Sequence, residues 1–328
     1  MLVRVSAGSA LTLGLSEGSI HVKPTTAYLL THHQGRCRAN CLFCSQARMS
    51  RSRSDLLSRV DWPTFPLRNV VEALVRTRES VARICVQAVN YANVVTDILS
   101  IVSQILSNID IGVSVSCQPV DREDLERLYS VGVERVSIPL DTATPDLFSM
   151  IKGQMAEGPY TWEDHMEALH EALSIFGPGR VTTHLIVGLG ETDRDIVSLV
   201  QRLVDLGVCP ALFTFTPIRG TALENRPPPA LHRYRLIQTA RFLLVNKLRR
   251  QVNMLFDSSG SLVDLGTSRK ELRQIVETGL PYQTSGCPNC NRPFYNEKLS
   301  GPIYNYPRPM TTAEIEETTR ILEGFCRD

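Results

Sequence analysis

The stretch Ala27-Tyr28-Leu29-Leu30-Thr31-His32-His33-Gln34-Gly35-Arg36-Cys37-Arg38-Ala39-Asn40-Cys41-Leu42-Phe43-Cys44 decides the fold. Its first part, 27–33, is a short apolar run of the kind that forms a buried strand, and a C-x3-C-x2-C cluster follows directly. Chemistry-bearing residues just after a strand point to a parallel α/β sheet, where strand C-termini form the mouth of the active site. Working outward, β-type runs recur at 82–89, 111–118, 135–142, 180–188, 211–218, 253–260 and, weakly, 281–286. Between them lie segments of helical apolar period at about 68–77, 93–107, 121–131, 161–176, 192–206, 229–247 and 268–278. Asp121 and Thr192 stand where helix N-caps belong.

These alternating units predict an α/β protein of the (β/α)8 TIM-barrel type, although a six-unit open barrel with extensions gives a similar pattern. The domain reading is an N-terminal extension at 1–24, a barrel at 25–286, and a C-terminal tail with a terminal helix at 287–328. The basic, serine-rich segment 45–61 reads as a solvated loop beside the mouth. The stretch 287–310, dense in Pro, Asn, Tyr and Gly, predicts irregular backbone folded over something.

A net charge of +1 over 328 residues gives no field that would draw nucleic acid or an anionic membrane. No run approaches the ~20 apolar residues of a membrane span, and the N-terminus lacks the apolar core of a secretory signal, so a cytoplasmic protein is expected. The nine cysteines, an odd number, do not suggest a disulfide scaffold. Five fall in two tight groups, Cys37/Cys41/Cys44 and Cys287/Cys290, which points to metal ligation in a reducing compartment.

Three thiolates are natural ligands of a [4Fe–4S] cluster and leave one iron open to an amino-acid chelate. A zinc site is the competing reading, but zinc would want a fourth ligand, for which only His32 or His33 stands near. The spacing of Cys37, Cys41 and Cys44 resembles the signature of the radical S-adenosylmethionine superfamily. The surroundings resemble biotin synthases in particular. Phe43 holds the aromatic position before the last cysteine, Pro139-Leu140-Asp141-Thr142 is similar to a ribose-contacting strand end, and His184-Leu185-Ile186-Val187-Gly188-Leu189-Gly190-Glu191 is similar to a GxIxGxxE segment with His184 in place of the first glycine. The resemblance implies that the Cys37/Cys41/Cys44 cluster cleaves S-adenosylmethionine to an adenosyl radical. Phe43, Asp141, Gly188 and Glu191 would form the cofactor-binding set.

Cys85 and Cys117, on the second and third strand runs, fall at positions that carry auxiliary-cluster ligands in the family. A lone strand cysteine is usually a small buried hydrophobe. Two at family positions, with Cys287 and Cys290 in the tail, imply a second iron–sulfur cluster of [4Fe–4S] type. Thr182 and Phe256 stand where two further biotin synthase ligands would fall, so that enzyme's own auxiliary site cannot be built here. Cys209 and Cys326 read as structural.

The tail, Ser285 to Pro307, resembles that of the archaeal-type split lipoyl synthase, in which two paralogous radical proteins insert sulfur at C6 and C8 of a protein-bound octanoyl chain. The implied partners are an octanoylated lipoyl domain or glycine-cleavage H protein, a paralogous lipoyl synthase subunit, and an electron donor such as ferredoxin. Arg292, Tyr295 and Asn296 are candidates for shaping the substrate channel. The alternatives are a biotin synthase-like or methylornithine synthase-type radical enzyme acting on a free small molecule, and a non-catalytic cluster scaffold.

Overall fold

The computed structural model describes residues 1–298 and 300–327. Its centre is an eight-stranded sheet built from β1 (Leu2–Val5), β2 (Thr26–Thr31), β3 (Thr64–Pro66), β4 (Arg83–Gln87), β5 (Gly112–Ser116), β6 (Arg135–Ser137), β7 (Val181–Val187) and β8 (Cys209–Thr214). The strand order is β8-β7-β6-β5-β4-β2-β1-β3. From β2 to β8 every neighbouring pair is parallel, and consecutive in sequence apart from β3. Long helices at Leu67–Arg76, Val94–Leu106, Arg122–Ser130, Trp162–Phe176 and Asp193–Leu206 supply the connections. Asp121 and Thr192 cap their helices, accepting from the backbone N–H of Asp124 and Asp195. The Thr192 helix ends on Gly207 at φ +90°, a left-handed cap that costs glycine little.

The sheet holds six parallel strands rather than the eight expected. The run at 253–260 does not extend it: Leu255–Phe256 pairs with Leu262–Asp264 in a separate antiparallel hairpin. The Asp257 carboxylate takes the N–H groups of Ser259 and Ser261, so turn chemistry stops the strand after Phe256. The run at 281–286 begins in a 3-10 turn, Leu280–Tyr282, entered from Gly279 at φ +65°. The N-terminal extension, in turn, supplies β1, antiparallel to β2 and β3, with Val3 and Val5 fully buried.

Alternation along the parallel strands separates two surfaces. Ala27 and Leu29, Ile84 and Val86, Val113 and Val115, Val136, and Leu185 and Val187 are buried in one core. Their neighbours of opposite parity, among them Cys85, Ser114, Arg135, Ser137 and His184, line an internal cavity. A barrel whose interior were simply packed would carry branched apolar residues there. The polar interior marks a ligand space.

The tail bridges the two ends of the parallel run. Leu212 of β8 donates its N–H to Ser285 Oγ at 2.8 Å and Thr216 Oγ1 donates to the Asn296 carbonyl at 2.9 Å. On the β2 side, Thr25 N–H donates to Asn291 Oδ1 at 2.9 Å and the Arg292 N–H donates to Tyr28 Oη at 3.0 Å. Arg235, on the helix Leu231–Val245, is 1% exposed and clamps the tail by donating to the carbonyls of Ile303 and Tyr304, both at 2.6 Å. Arg235→Met leaves the Ile303 carbonyl without this donor and the Tyr304 carbonyl with Gln238 Nε2 alone, at 2.9 Å. It is expected to lower stability to urea by about 3 kcal/mol and to open residues 287–310 to proteolysis before the rest of the chain.

Candidate active site

The loop after β2 carries the first three cysteines and is stitched to three other elements. Within it, Cys37 N–H donates to the Gln46 carbonyl at 3.1 Å and Arg48 N–H to that of Ala39 at 2.8 Å. Arg38 N–H donates to the Asn90 carbonyl and Leu42 N–H to that of Ile151, at 2.8 and 2.9 Å. Asn40 Nδ2 donates to the Ala156 carbonyl at 2.8 Å.

Cys37, Cys41 and Cys44 all face the cavity, with no disulfide, and each lies within electrostatic range of another. Burial pushes the Cys44 thiol up to about 12 and the Cys41 thiol well above its ordinary value. Backbone N–H groups of Asn90, at 3.2 Å from Cys37, and of Gln46 and Ala47, on Cys44, are aimed at sulfur. A buried trio of thiols met by amide donors fits an iron–sulfur cluster, where N–H···S bonds hold negative sulfur. No three His, Cys, Asp or Glu side chains among the described residues converge on one metal-ion position. A cubane does not ask for that, because each thiolate binds a different iron.

Phe43 lies on the cavity wall and packs against Ile151, Leu189 and Phe215. Asp141, just past β6, sits at φ +67°, where its N–H donates to the His184 carbonyl and its own carbonyl accepts from Ile186 N–H, both at 2.8 Å. Its carboxylate faces the cavity and pairs at 2.8 Å with Nζ of Lys152, which is fully buried. Lys152 Nζ also donates to the Pro139 carbonyl. The ammonium holds the carboxylate in place and sets a positive charge near Cys41, whose thiol it lowers against the larger effect of burial.

Gly188 and Glu191 are not on the cavity wall. The Glu191 carboxylate accepts from the N–H groups of Gly188, Leu189 and Gly190 at 2.8, 2.9 and 3.1 Å, and pairs with Arg233 at 3.0 Å. It shapes the turn after β7 from within, a role the motif does not reveal. A Cβ on Gly188, at φ +110°, would meet Pro229 Cδ at 2.9 Å, so that position needs glycine.

The four remaining predicted ligands divide unevenly. Cys85, Cys287 and Cys290 come together: Cys85 feels the charge of both tail cysteines, and burial, the largest effect, raises its thiol. Cys290 Sγ lies 3.2 Å from Tyr28 Oη, and Cys287 Sγ 3.6 Å from Ser114 Oγ. Cys117 lines the same cavity but stands apart from that trio. Burial pushes its thiol up to about 12, and its charged neighbour is Asp124 rather than another cysteine. Arg292 stacks on Phe213 at 3.7 Å, and Tyr295 Oη meets Gln87. Asn296 Nδ2 donates to Ser58 Oγ at 3.3 Å. Cys209 lies off the cavity wall, as does Cys326. Lys152, Arg135 and Tyr28 belong to the site and carry no motif. Only the alternation of Arg135 and Ser137 with Val136 and Ile138 signalled an inward polar face.

The cavity, of about 250 Å³, therefore holds all seven clustered cysteines of an open parallel barrel. A family model described as the Radical SAM superfamily matches residues 31–203, more than half of the chain, and the chain belongs to that superfamily. Membership implies a [4Fe–4S] cluster and S-adenosylmethionine, and the first cysteine trio suits the cluster. Among curated proteins, a biotin synthase of Hydrogenobaculum sp. is 29% identical over 226 residues, 66% of this chain and 63% of that protein. A biotin synthase of Persephonella marina is 30% identical over 204 residues, 60% of this chain and 56% of that protein. The chain thus spans less than two thirds of the length of these relatives. Among solved structures, methylornithine synthase superposes with a TM-score of 0.53 at 12% identity, over 69% of this chain and 64% of that one. The [FeFe]-hydrogenase maturase HydG of Carboxydothermus hydrogenoformans gives 0.51 at 18%, over 68% of this chain and 51% of that one. Both share the fold. No helix among the described residues is long and apolar enough to cross a membrane.

Lys152→Met leaves the Asp141 carboxylate buried without its partner. It is expected to cost about 3–5 kcal/mol in urea unfolding, and adding Asp141→Asn should recover most of the loss, a double-mutant cycle that isolates the pair.

Proposed function

We propose that this chain inserts sulfur into an unactivated C–H bond of a protein-bound octanoyl chain, as one of two paralogous lipoyl synthase components. The observation that carries the reading is the gathering of Cys85, Cys287 and Cys290 in the cavity that also holds Cys37, Cys41 and Cys44. Bound S-adenosylmethionine and its cluster supply a hydrogen-abstracting radical, and a second iron–sulfur cluster supplies sulfide.

The chain's own residues prepare both ends of the cavity. Phe43 offers an aromatic face and Asp141 an oriented carboxylate at the end with the first trio. At the other end Tyr28 accepts the Arg292 N–H, which leaves its hydroxyl proton free to point at Cys290 Sγ. Leu30, Ile186, Phe213 and Phe215 give an apolar wall suited to a saturated chain. The proposed partners are an octanoylated lipoyl domain or H protein, a paralogous subunit, and a reductant such as ferredoxin. The biotin synthase matches favour a second reading, sulfur insertion into a free small molecule by the same machinery.

Anaerobic reconstitution with iron and sulfide followed by mass spectrometry of an octanoylated H protein tests the choice. About eight irons per chain and a product heavier by one or two sulfur atoms are expected. About four irons, unchanged by Cys287→Ala, would remove the second centre. Sulfur gained by a free carboxylic acid, with the octanoylated protein unaltered, would select the second reading.

A further inference from the structure

Arg135 is a charged side chain whose partner is missing. It is 9% exposed, lies on the cavity wall, and makes no hydrogen bond or ion pair with any described residue; its Nε is buried without an acceptor. A guanidinium held this way is costly unless an anion joins it. The carboxylates close to it in sequence are already engaged. Glu134 pairs with Arg83 at 2.8 Å, and Asp141 pairs with Lys152.

Strand register shows what Arg135 faces. Tyr28 pairs with Cys85, Cys85 with Ser114, and Ser114 with Arg135 across β2, β4, β5 and β6. Residues paired across parallel strands point the same way, so these four side chains form one layer of the barrel interior. Cys287 and Cys290 enter that layer from the tail, beside Ser114 and Tyr28. Arg292 brings a second guanidinium, also without an ion pair among the described residues; its Nη2 donates to the Ser285 carbonyl at 2.9 Å and its Nε has no acceptor. The layer thus sets thiols among guanidiniums: Arg292, which the buried Glu297 carboxylate balances in part, and Arg135, which has no ion pair among the described residues.

We propose that Arg135 is the counter-charge of an anionic iron–sulfur cluster held by Cys85, Cys287 and Cys290. This rests on the second metal centre of the proposed function and deepens it: thiolates hold the iron, and Arg135, outside the ligand set, balances the charge that three thiolates and sulfide bring into the interior. Positive charge nearby favours the reduced, more negative cluster, so Arg135 also raises its reduction potential.

The test uses the full chain carrying Cys37→Ala, Cys41→Ala and Cys44→Ala, so that only the second centre can hold iron. Arg135→Gln and Arg135→Lys are compared in that background. Arg135→Gln is expected to lose iron to a chelator about tenfold more readily and to show a lower midpoint potential in an EPR-monitored titration, with Arg135→Lys in between. Without metal, Arg135→Gln should melt no lower than its parent, because it removes a buried unpaired charge; this separates the effect from misfolding. Iron retention and potential both equal to the parent's would overturn the role of Arg135 alone. A parent that takes up no iron would overturn the second centre and this role together. Octanoate binding to the metal-free parent, abolished by Arg135→Gln while iron retention is unchanged, would instead make Arg135 a substrate carboxylate site and overturn the proposal.

Discussion

The free backbone edge of β8, at the end of the six parallel strands, is the constraint on which the rest of the molecule depends. Six parallel strands curve without closing, so the amide of Leu212 is left without a strand to meet. An open edge beside a polar interior admits water and invites pairing with another chain. The tail answers both needs. It gives Leu212 a hydroxyl acceptor in Ser285, ties Thr25 and Tyr28 on the far side, and is anchored from behind by Arg235. The same segment carries Cys287 and Cys290, so the stretch that covers the β8 edge also brings two thiols to the cavity.

Charge inside the cavity is arranged in two unlike ways. Near the first cysteine trio the buried ions are matched: Lys152 meets Asp141 directly, and the carboxylate is held in a left-handed backbone conformation that only a well-supported site sustains. Near the second trio the guanidiniums of Arg135 and Arg292 make no ion pair among the described residues, and only Arg292 has a buried carboxylate, Glu297, within electrostatic range. A folded chain tolerates a matched pair in any state, whereas an unmatched cation favours binding of an anion. The first end is organised by the protein itself.

The superfamily region and the cysteine-bearing tail lie in different parts of the chain. The matched family region ends at residue 203, inside the helix Asp193–Leu206. Beyond it come β8, the clamp helix and the tail, so the segment that brings two thiols beside Cys85 lies outside the matched superfamily region. Cys117 shows the consequence. It occupies a strand position like that of an auxiliary ligand, yet the tail cysteines sit with Cys85.

From the sequence alone came the family, the first cysteine trio and the parallel α/β architecture, because all three are local: ligand spacing within one loop, alternation within one strand, capping within one helix turn. The N-caps at Asp121 and Thr192 were legible for that reason. The number of strands was not, since Met254-Leu255-Phe256 before an Asp-Ser-Ser-Gly turn, and the segment entered by a 3-10 turn at Leu280–Tyr282, look strand-like until tertiary contacts leave them out of the sheet. Nor was the role of Glu191, whose carboxylate turns inward to satisfy three amides, or of Lys152, whose neighbours lie on other elements. Which cysteines lie together in the cavity, and that Arg135 shares their layer unpaired, depends on register across four strands and on where a distant tail enters. Only the tertiary structure decided those, because contacts between residues far apart in the chain leave no spacing to read.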